Sequence, residues 1–274
     1  MKAIQFGVLA GFLAVSINYA AADQLADIKA RGSLICGVYG NEEPFGFEDL
    51  KTRELVGYEV DICRKVAERL KVKIEFKVTP APSKVAELVQ NRFDVLSAGL
   101  SYTEQRAALI DYSANIMDDS HRCLVLRDSG LKTLDQLAGK RVGIGKGSVL
   151  TSLLQTRYPT ATTMSLEDIP TAFLALQQGR IDAACQRQSL ARLVELRAAS
   201  AGAAKPVRFL DGALLSQTTG IGIRKGQPEL VAAVNAALLD IEASGDSAKI
   251  FSKWMGAESA LKLERTFKVG SPIK

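Results

Sequence analysis

The sequence contains few of the side chains that metal centres and hydrolytic triads require. His121 is the only histidine in the chain, so a histidine-based metal site or a Ser-His-Asp triad would depend on one residue. It lies beside Arg122 in a segment with strand character, where a solvated or core-edge histidine is the expected role. The four cysteines, at positions 36, 63, 123 and 185, match no zinc-binding spacing. We therefore expect no metal site and no catalytic residue.

The chain also lacks any long run of one charge. It has 35 lysine and arginine residues against 30 aspartate and glutamate residues, a formal net charge of +5. The charges are interspersed, and basic clusters such as Arg64–Lys65 and Lys140–Arg141 are short. Nucleic-acid binding needs a concentrated basic patch, so we expect no nucleic-acid partner.

The one long hydrophobic run lies at the N-terminus. Residues 4–17 are almost wholly apolar but too short to span a bilayer at the usual length. Lys2 precedes the run and three alanines, 20–22, follow it, which is typical of a secretory signal peptide over residues 1–22. An uncleaved membrane anchor is the alternative. The pattern predicts a periplasmic protein, for which disulfides are allowed and cofactors such as ATP or NAD(P)H are not expected.

The rest of the chain alternates strand and helix patterns in two similar units. In the first unit the predicted elements are 34–39, 58–70, 72–78, 85–90 and 93–97. In the second unit they are 141–145, 149–157, 162–166, 169–178 and 181–185. Each unit has the order β-α-β-α-β, which is typical of a parallel sheet with helices on its faces. The polar segment 41–49, with Pro44 and Gly46, is predicted to be a loop.

Two further strand-like runs, 122–127 and 220–224, connect the units. Helical patterns follow the second run, over 228–243 and 246–255. This order predicts a discontinuous lobe 1 of residues 23–120 and 218–274, and a lobe 2 of residues 121–217. Two crossings make a hinge, so a ligand would bind in the crevice between the lobes.

Short motifs spread over the chain then identify a family resemblance. They are 32–38 (GSLICGV), 44–47 (PFGF), 56–61 (VGYEVD), 93–95 (FDV), 101–106 (SYTEQR), 111–113 (DYS), 134–143 (LDQLAGKRVG), 146–148 (KGS), 179–183 (GRIDA) and 253–256 (KWMG). Over residues 30–256 the chain resembles the solute-binding proteins of amino-acid ABC transporters, bacterial solute-binding protein family 3. The resemblance implies the type II periplasmic binding protein fold, with two Rossmann-like α/β lobes joined by a two-strand hinge. It also implies a monomer that binds a small carboxylate, an amino acid or an anionic relative, and delivers it to the membrane permease of an ABC importer.

The resemblance and the chemistry of the residues predict ten ligand contacts. They are Tyr39, Glu42, Phe45, Lys84, Gly99, Ser101, Arg106, Ser148, Val149 and Arg187. In the family the arginine at position 106 holds the ligand's α-carboxylate, a role that suits a planar guanidinium fork. A surface ion pair with Glu104 or Asp111 is the alternative.

The remaining contacts are predicted from position. Ser148 precedes a helix whose N-terminus would face a carboxylate. The family usually has Thr or Ser at position 149, so Val149 removes a hydroxyl donor but keeps the backbone N–H. Tyr39, Phe45 and Phe47 would line the apolar part of the cleft, and core packing is an equally good interpretation for at least one of the phenylalanines.

Arg187 is the main departure from the family pattern. The family usually has an aspartate there, which pairs with the ligand's α-ammonium, whereas an arginine would repel an ammonium and attract an anion. Lys84 occupies the place at which binders of acidic amino acids carry an arginine. One interpretation is therefore a cationic cleft formed with Arg106. The other is that Arg187 turns to solvent and Glu42 binds the ammonium.

Two rival functions and one pairing stay open. The same scaffold also carries dehydratase-like enzymes that act on dicarboxylates, for which Glu42 or Glu43 would be the acid or base. An accessory or sensory protein of a membrane complex is a third interpretation. The resemblance also places the strand at 122–127 beside 181–185, so Cys123 and Cys185 would be neighbours, either as a disulfide or as two buried thiols.

Overall fold

A computed structural model describes residues 23–200, 202 and 205–273 of the chain. The signal peptide predicted for residues 1–22 lies outside the described residues. Within the described ranges, no helix is long and apolar enough to cross a membrane.

Helices and strands alternate through the first half of the chain. The elements are α1 (Gln24–Arg31), β1 (Ser33–Val38), β2 (Asn41–Glu42), β3 (Gly46–Glu48), β4 (Leu55–Val56), α2 (Tyr58–Leu70), β5 (Lys73–Val78), α3 (Lys84–Val89), β6 (Val95–Ser97), α4 (Glu104–Ala107) and β7 (Ile110–Leu126). Local signals set the ends of α1. The Asp23 side chain accepts a hydrogen bond from the Leu25 N–H, and Gly32 ends the helix with a positive φ of 75°.

The second half repeats the alternation. Its elements are β8 (Arg141–Gly145), α5 (Leu150–Arg157), β9 (Thr162–Leu166), α6 (Ile169–Gln177), β10 (Ala183–Arg187), α7 (Gln188–Ser200), β11 (Val207–Phe209), β12 (Leu215–Arg224), α8 (Pro228–Ala243) and α9 (Asp246–Trp254). Helix α6 begins where the Asp168 side chain accepts a hydrogen bond from the Thr171 N–H, with Pro170 in its first turn.

One large sheet runs through the molecule in the order β5-β1-β6-β12-β7-β10-β8-β9, with β11 paired to β7. At one end β1 pairs in parallel with β5 and β6, and at the other β8 pairs in parallel with β9 and β10. Between these parallel groups, β12 pairs antiparallel with residues 110–121 of β7. The 17-residue β7 and the 10-residue β12 are therefore the two strands that connect the parallel groups.

Separate apolar cores form on the two parallel groups. One core joins α1, β1 and α2 to α8 and α9, and includes Ile28, Tyr58 and Val234. We call this part lobe 1. The other surrounds β8 and β10, includes Val142 and Leu154, and defines lobe 2. The two-lobed α/β architecture with a two-strand hinge is thus confirmed.

Helix α7 packs against both lobes, which the expected domain division did not anticipate. Leu190 and Leu193 pack with the lobe 1 core, whereas Ala191 packs with residues of lobe 2. The boundaries at 120 and 217 therefore stay a prediction.

Two disulfides join neighbouring elements. Cys36 of β1 is bonded to Cys63 of α2, and Cys123 of β7 is bonded to Cys185 of β10. Cys123 and Cys185 are directly opposite in the antiparallel register of β7 and β10. The prediction that these two residues are neighbours is confirmed, and they form a disulfide.

Two local predictions were wrong, and one helix was missed. The segment 41–49 is not a plain loop, because its short strands β2 and β3 pair with each other and are too brief to show an alternating pattern. The strand predicted over 181–185 lies two residues later, at 183–187, because buried polar residues end it. Helix α7 was not predicted, since it follows β10 without a turn or a capping residue.

Candidate functional site

A cavity of about 90 Å³ lies between the lobes. Nine of the ten predicted contacts line it, namely Tyr39, Glu42, Lys84, Gly99, Ser101, Arg106, Ser148, Val149 and Arg187. The cavity adjoins an outer cleft of about 930 Å³, which shares Tyr39, Glu42 and Asp168 with it. The structure therefore brings residues from distant parts of the chain to one interlobe site.

Phe45 is the predicted contact that lies elsewhere. It is fully buried in the lobe 1 core and does not line the cavity. Its ring instead lies beneath the guanidinium of Arg187, with 3.7 Å between the Arg187 Cζ and the ring centroid. Phe45 is part of the lobe 1 core and therefore does not reach the cavity. Its ring instead supports the cavity residue Arg187 through a cation–π contact.

Arg106 connects the two lobes. It lies on the short helix α4, whose Thr103 side chain accepts a hydrogen bond from the Arg106 backbone N–H at 3.2 Å. The guanidinium donates to the Ser101 carbonyl at 3.0 Å and to the Gly147 carbonyl of lobe 2 at 3.1 Å. Asp111, one of its expected surface partners, is paired with Lys225 instead. These contacts place a fixed cation at the junction of the lobes.

The loop after β8 forms the lobe 2 wall of the cavity. Gly147 has a positive φ of 71°, and a Cβ atom there would lie 3.0 Å from the Ala81 carbonyl oxygen of lobe 1. Ser148 begins the turn into α5, and its hydroxyl accepts from the Leu150 N–H at 3.2 Å. Val149 lines the cavity. Glycine permits both the backbone conformation and the close approach of the lobes.

Arg187 is buried and faces the cavity, so the interpretation that it turns to solvent is wrong. Its side chain is 7% exposed, and its Nη2 is 3.3 Å from the Oε2 of Glu42. A Cβ atom on Gly99 would lie 2.7 Å from that Nη2. The pKa of Arg187 is raised above its ordinary value, because Glu59 and Glu42 outweigh the effect of burial, which lowers it.

Lys84 in the cavity wall and Glu59 behind it form a buried polar layer. The Lys84 ammonium donates to the Tyr39 hydroxyl at 2.7 Å and to the Ala98 and Gly99 carbonyls at 2.8 and 3.2 Å. Burial and then the nearby Arg106 charge lower the pKa of Lys84 to about 7. Glu59 accepts from the Gly99 N–H at 2.8 Å, and burial raises its pKa. The protein therefore uses all three Lys84 donors itself, and Lys84 supports Tyr39.

His121 is a cavity residue that sequence reasoning missed. It lies directly opposite Arg187 in the register of β7 and β10, is 6% exposed, and lines the cavity. Burial, followed by the charges of Arg187 and Arg106, lowers the pKa of His121 to about 3, so the imidazole is neutral at neutral pH. His121 and the buried Cys123 are two residues apart on β7, so the sequence could have predicted that both side chains lie on the same face of the strand. Only the strand register shows that His121 lies opposite Arg187.

Gln186 and Asp168 also line the cavity, although the sequence did not predict them as ligand contacts. Behind the wall, the Asp119 carboxylate accepts a hydrogen bond from the Ser189 hydroxyl, and burial raises its pKa. Across residues 23–200, 202 and 205–273, no group of histidine, cysteine and carboxylate side chains is arranged to hold a metal ion. The arrangement can bind and orient a small polar molecule between two cationic side chains.

Comparison with known proteins agrees with this architecture. A family model of the bacterial extracellular solute-binding proteins, family 3, matches residues 34–257. The chain is 29% identical to the L-cystine-binding protein TcyJ of Escherichia coli (strain K12) over 269 residues, covering 94% of this chain and 99% of that protein. It is 31% identical to the L-cystine-binding protein TcyA of Bacillus subtilis (strain 168) over 237 residues, 86% of each protein.

A solved structure extends the agreement to the fold. The ancestral amino acid-binding protein AncCDT-1, a precursor of cyclohexadienyl dehydratase, is similar with a TM-score of 0.74 and 28% identity. The match covers 86% of this chain and 100% of that one. With a family match over most of its length and the fold of type II periplasmic binding proteins, the chain belongs to the bacterial extracellular solute-binding proteins, family 3.

Proposed function

We propose that the protein is a periplasmic receptor that binds a small carboxylate between its lobes and delivers it to the membrane permease of an ABC importer. The observation that carries the proposal is the position of Arg106. Its guanidinium lies in the cavity wall and is hydrogen-bonded to both lobes. A carboxylate held there would interact with both lobes at once and stabilise the closed state.

The charges of the cavity wall support a carboxylate ligand. Arg106 and Arg187 contribute cations from lobe 1 and lobe 2, respectively. Arginine binds a carboxylate through two parallel hydrogen bonds, and such charge-assisted bonds are stronger in a site that excludes water. TcyJ and TcyA are L-cystine-binding proteins, so amino acids belong among the ligands to be tested.

The contacts of the two acid or base candidates favour binding over catalysis. Glu42 is paired with Arg187, and Glu43 is paired with Arg197. Both carboxylates are thus held by cations of the protein itself and are not free to act on a bound ligand. We therefore propose that the protein carries out no covalent chemistry and that the dehydratase alternative does not apply. Absence of product after incubation with prephenate-like dicarboxylates is the expected result.

The carboxylate contact is tested by identifying the ligand and removing Arg106. Mass spectrometry of protein purified without denaturation identifies the small molecule that accompanies it. Calorimetry then compares wild type with Arg106→Ala, which is expected to lose about 2–5 kcal/mol of binding free energy. Arg141→Ala is the control, because Arg141 pairs with Asp182 at the exposed start of β8. Unchanged affinity in a folded Arg106→Ala variant would rule out the assignment.

Delivery and oligomeric state need separate measurements. Permease reconstituted in vesicles is expected to hydrolyse ATP faster with the loaded receptor than with the Arg106→Ala variant. Light scattering of the purified protein is expected to give the mass of a monomer. A loaded receptor that leaves ATP hydrolysis unchanged would contradict the transport role.

A further inference from the structure

Arg187 and His121 lie together on the inner wall of the cavity. The two residues are directly opposite each other on β10 and β7, two positions along the strands from the disulfide between Cys123 and Cys185. Both side chains are buried and line the cavity. Neighbouring strands joined by a covalent bond hold their side chains in a fixed relation, so this pair is rigidly placed.

The Arg187 guanidinium has a hydrogen-bond donor left over. Its Nη2 faces Glu42, its plane lies over the Phe45 ring, and its Nη1 is buried with no hydrogen-bond partner among the described residues. Buried donors are seldom left unpaired. Phe45 below and Gly99 beside the guanidinium leave it little room to turn. The free donor therefore fits an acceptor supplied by the ligand.

His121 presents a second unpaired nitrogen at the same place. Its Nδ1 is buried and has no partner within the described part of the chain. The depressed pKa leaves the imidazole neutral, with one nitrogen able to donate. Two unpaired polar atoms on opposed residues of one wall indicate that a polar group of the ligand completes this wall.

The acidic side chains of the cavity are already paired. Glu42 pairs with Arg187, Glu167 pairs with Lys146, and the Asp168 carboxylate accepts from the Thr171 N–H at 2.8 Å. Deeper in, Glu59 accepts two contacts from the Gly99 N–H. A ligand ammonium would meet no unpaired carboxylate among these residues, and at Arg187 it would meet another cation.

We propose that the ligand is a small dicarboxylate without an ammonium group, with one carboxylate bound by Arg106 and the other by Arg187 and His121. The inference rests on the proposed function, because it requires the Arg106 contact. Arg187 places a cation of the protein itself in the cavity wall, where it would repel an ammonium group. The site thereby favours a ligand that has a hydrogen-bond-accepting carboxylate at each end.

Ligands that differ by one group test the proposal by calorimetry. Glutarate and L-glutamate differ by the ammonium, L-glutamate and L-glutamine by one negative charge, and succinate and L-aspartate repeat the first comparison. L-cystine tests a large zwitterion. Wild type is expected to bind the ammonium-free diacid at least about tenfold more tightly than the matching amino acid. An amino acid that binds tightly, with loss of affinity when its ammonium is removed, would overturn the proposal even without variants.

Variants then assign the preference to the inner wall. Arg187→Gln is expected to remove the preference for diacids, and Arg187→Asp to reverse it toward amino acids. His121→Leu is expected to weaken diacid binding severalfold. Arg141→Gln, in the same lobe but outside the cavity, is the control and is expected to retain wild-type affinities. Unchanged affinities in folded Arg187→Gln would also overturn the proposal.

The experiments distinguish failure of the proposed function from failure of the dicarboxylate proposal. If no carboxylate binds, or if Arg106→Ala leaves binding intact, the proposed function itself is wrong. If a carboxylate binds through Arg106 but the Arg187 and His121 variants and the ligand pairs show no preference for diacids, only the proposal of a dicarboxylate is wrong.

Discussion

The buried imidazole of His121 links the site to the pH dependence of stability. Burial and two guanidinium groups lower its pKa from 6.5 to about 3 in the folded protein. An unfolded chain binds a proton at this histidine below about pH 6.5, whereas the folded protein does not. The unfolded state therefore gains protons first, so this contribution to stability is present above pH 6.5 and is lost as the pH falls toward 3.

The His121→Gln variant is expected to lose less stability than wild type on acidification. One proton contributes about 1.4 kcal/mol per pH unit, so the difference between the proteins should reach about 2 kcal/mol by pH 5. Urea unfolding at pH 7 and pH 5 measures it. His121 is the only histidine, so no other imidazole contributes. Carboxyl groups with raised pKa, such as Glu59 and Asp119, act in both proteins and cancel in the comparison. Equal acid losses in both proteins would contradict the prediction.

Trp254 has a structural role at the end of α9. Its Nε1 donates to Asp61 of α2 at 2.7 Å, and its ring meets Phe47 edge-on with 5.6 Å between centroids. It does not line the cavity. Trp254→Ala is expected to cost about 2–4 kcal/mol of unfolding free energy and to leave ligand preference unchanged. Trp254→Phe, which keeps a ring but loses the hydrogen bond, should be intermediate in melting temperature. A large loss of affinity in a folded variant would assign Trp254 to binding instead.

At the scale of elements, the sequence predicted most strands and helices because their apolar residues follow regular periods. The sequence failed where buried polar residues line the cavity. Gln186 and Arg187 look like the end of a strand, yet they continue β10 into the cavity wall. The family motif located Arg106 and Ser148, but His121 belongs to no motif. Its place opposite Arg187 depends on strand register between distant segments, which local sequence does not encode.

The two disulfides are expected to differ in what they support. Their loops span 27 and 62 residues, for which loop entropy gives about 3.5 and about 4 kcal/mol of stabilisation. Replacing either pair by serines should lower stability by a similar amount in urea unfolding. Only loss of the Cys123–Cys185 bond should also weaken ligand binding, because it adjoins the Arg187–His121 pair. The Cys36–Cys63 variant is the matched control, and equal affinities of the two variants would contradict the expectation.

At the scale of the whole molecule, a few contacts set how closely the lobes approach. Arg106 reaches the Gly147 carbonyl, Glu43 pairs with Arg197 of α7, and the backbone at Gly147 lies against Ala81. The strands β7 and β12 connect the lobes. Bending of β7 and β12 would therefore open the cleft at these contacts.

Gly147→Ala is expected to hinder closure. The added methyl group would lie 3.0 Å from the Ala81 carbonyl oxygen, and φ is 71°. Ligand affinity should fall about tenfold or more, and X-ray scattering should show a larger radius of gyration with ligand than wild type has. Gly139→Ala is the control, because φ is 70° there but no atom lies within 4 Å of the added Cβ. Backbone strain alone would affect both variants equally, and equal affinities would contradict a role in closure.

The order of the cysteines has a consequence for how the chain matures during export, the route proposed for it. Bonds between the first and second and between the third and fourth cysteines are the pairs that oxidation in order of emergence produces. The lobe 1 core, however, needs α8 and α9 from the end of the chain beside Ile28 and Tyr58 from its beginning. An oxidase that acts on each thiol as it emerges would therefore close the first disulfide before α8 and α9 can pack on its lobe, and would favour native pairing before either lobe has folded.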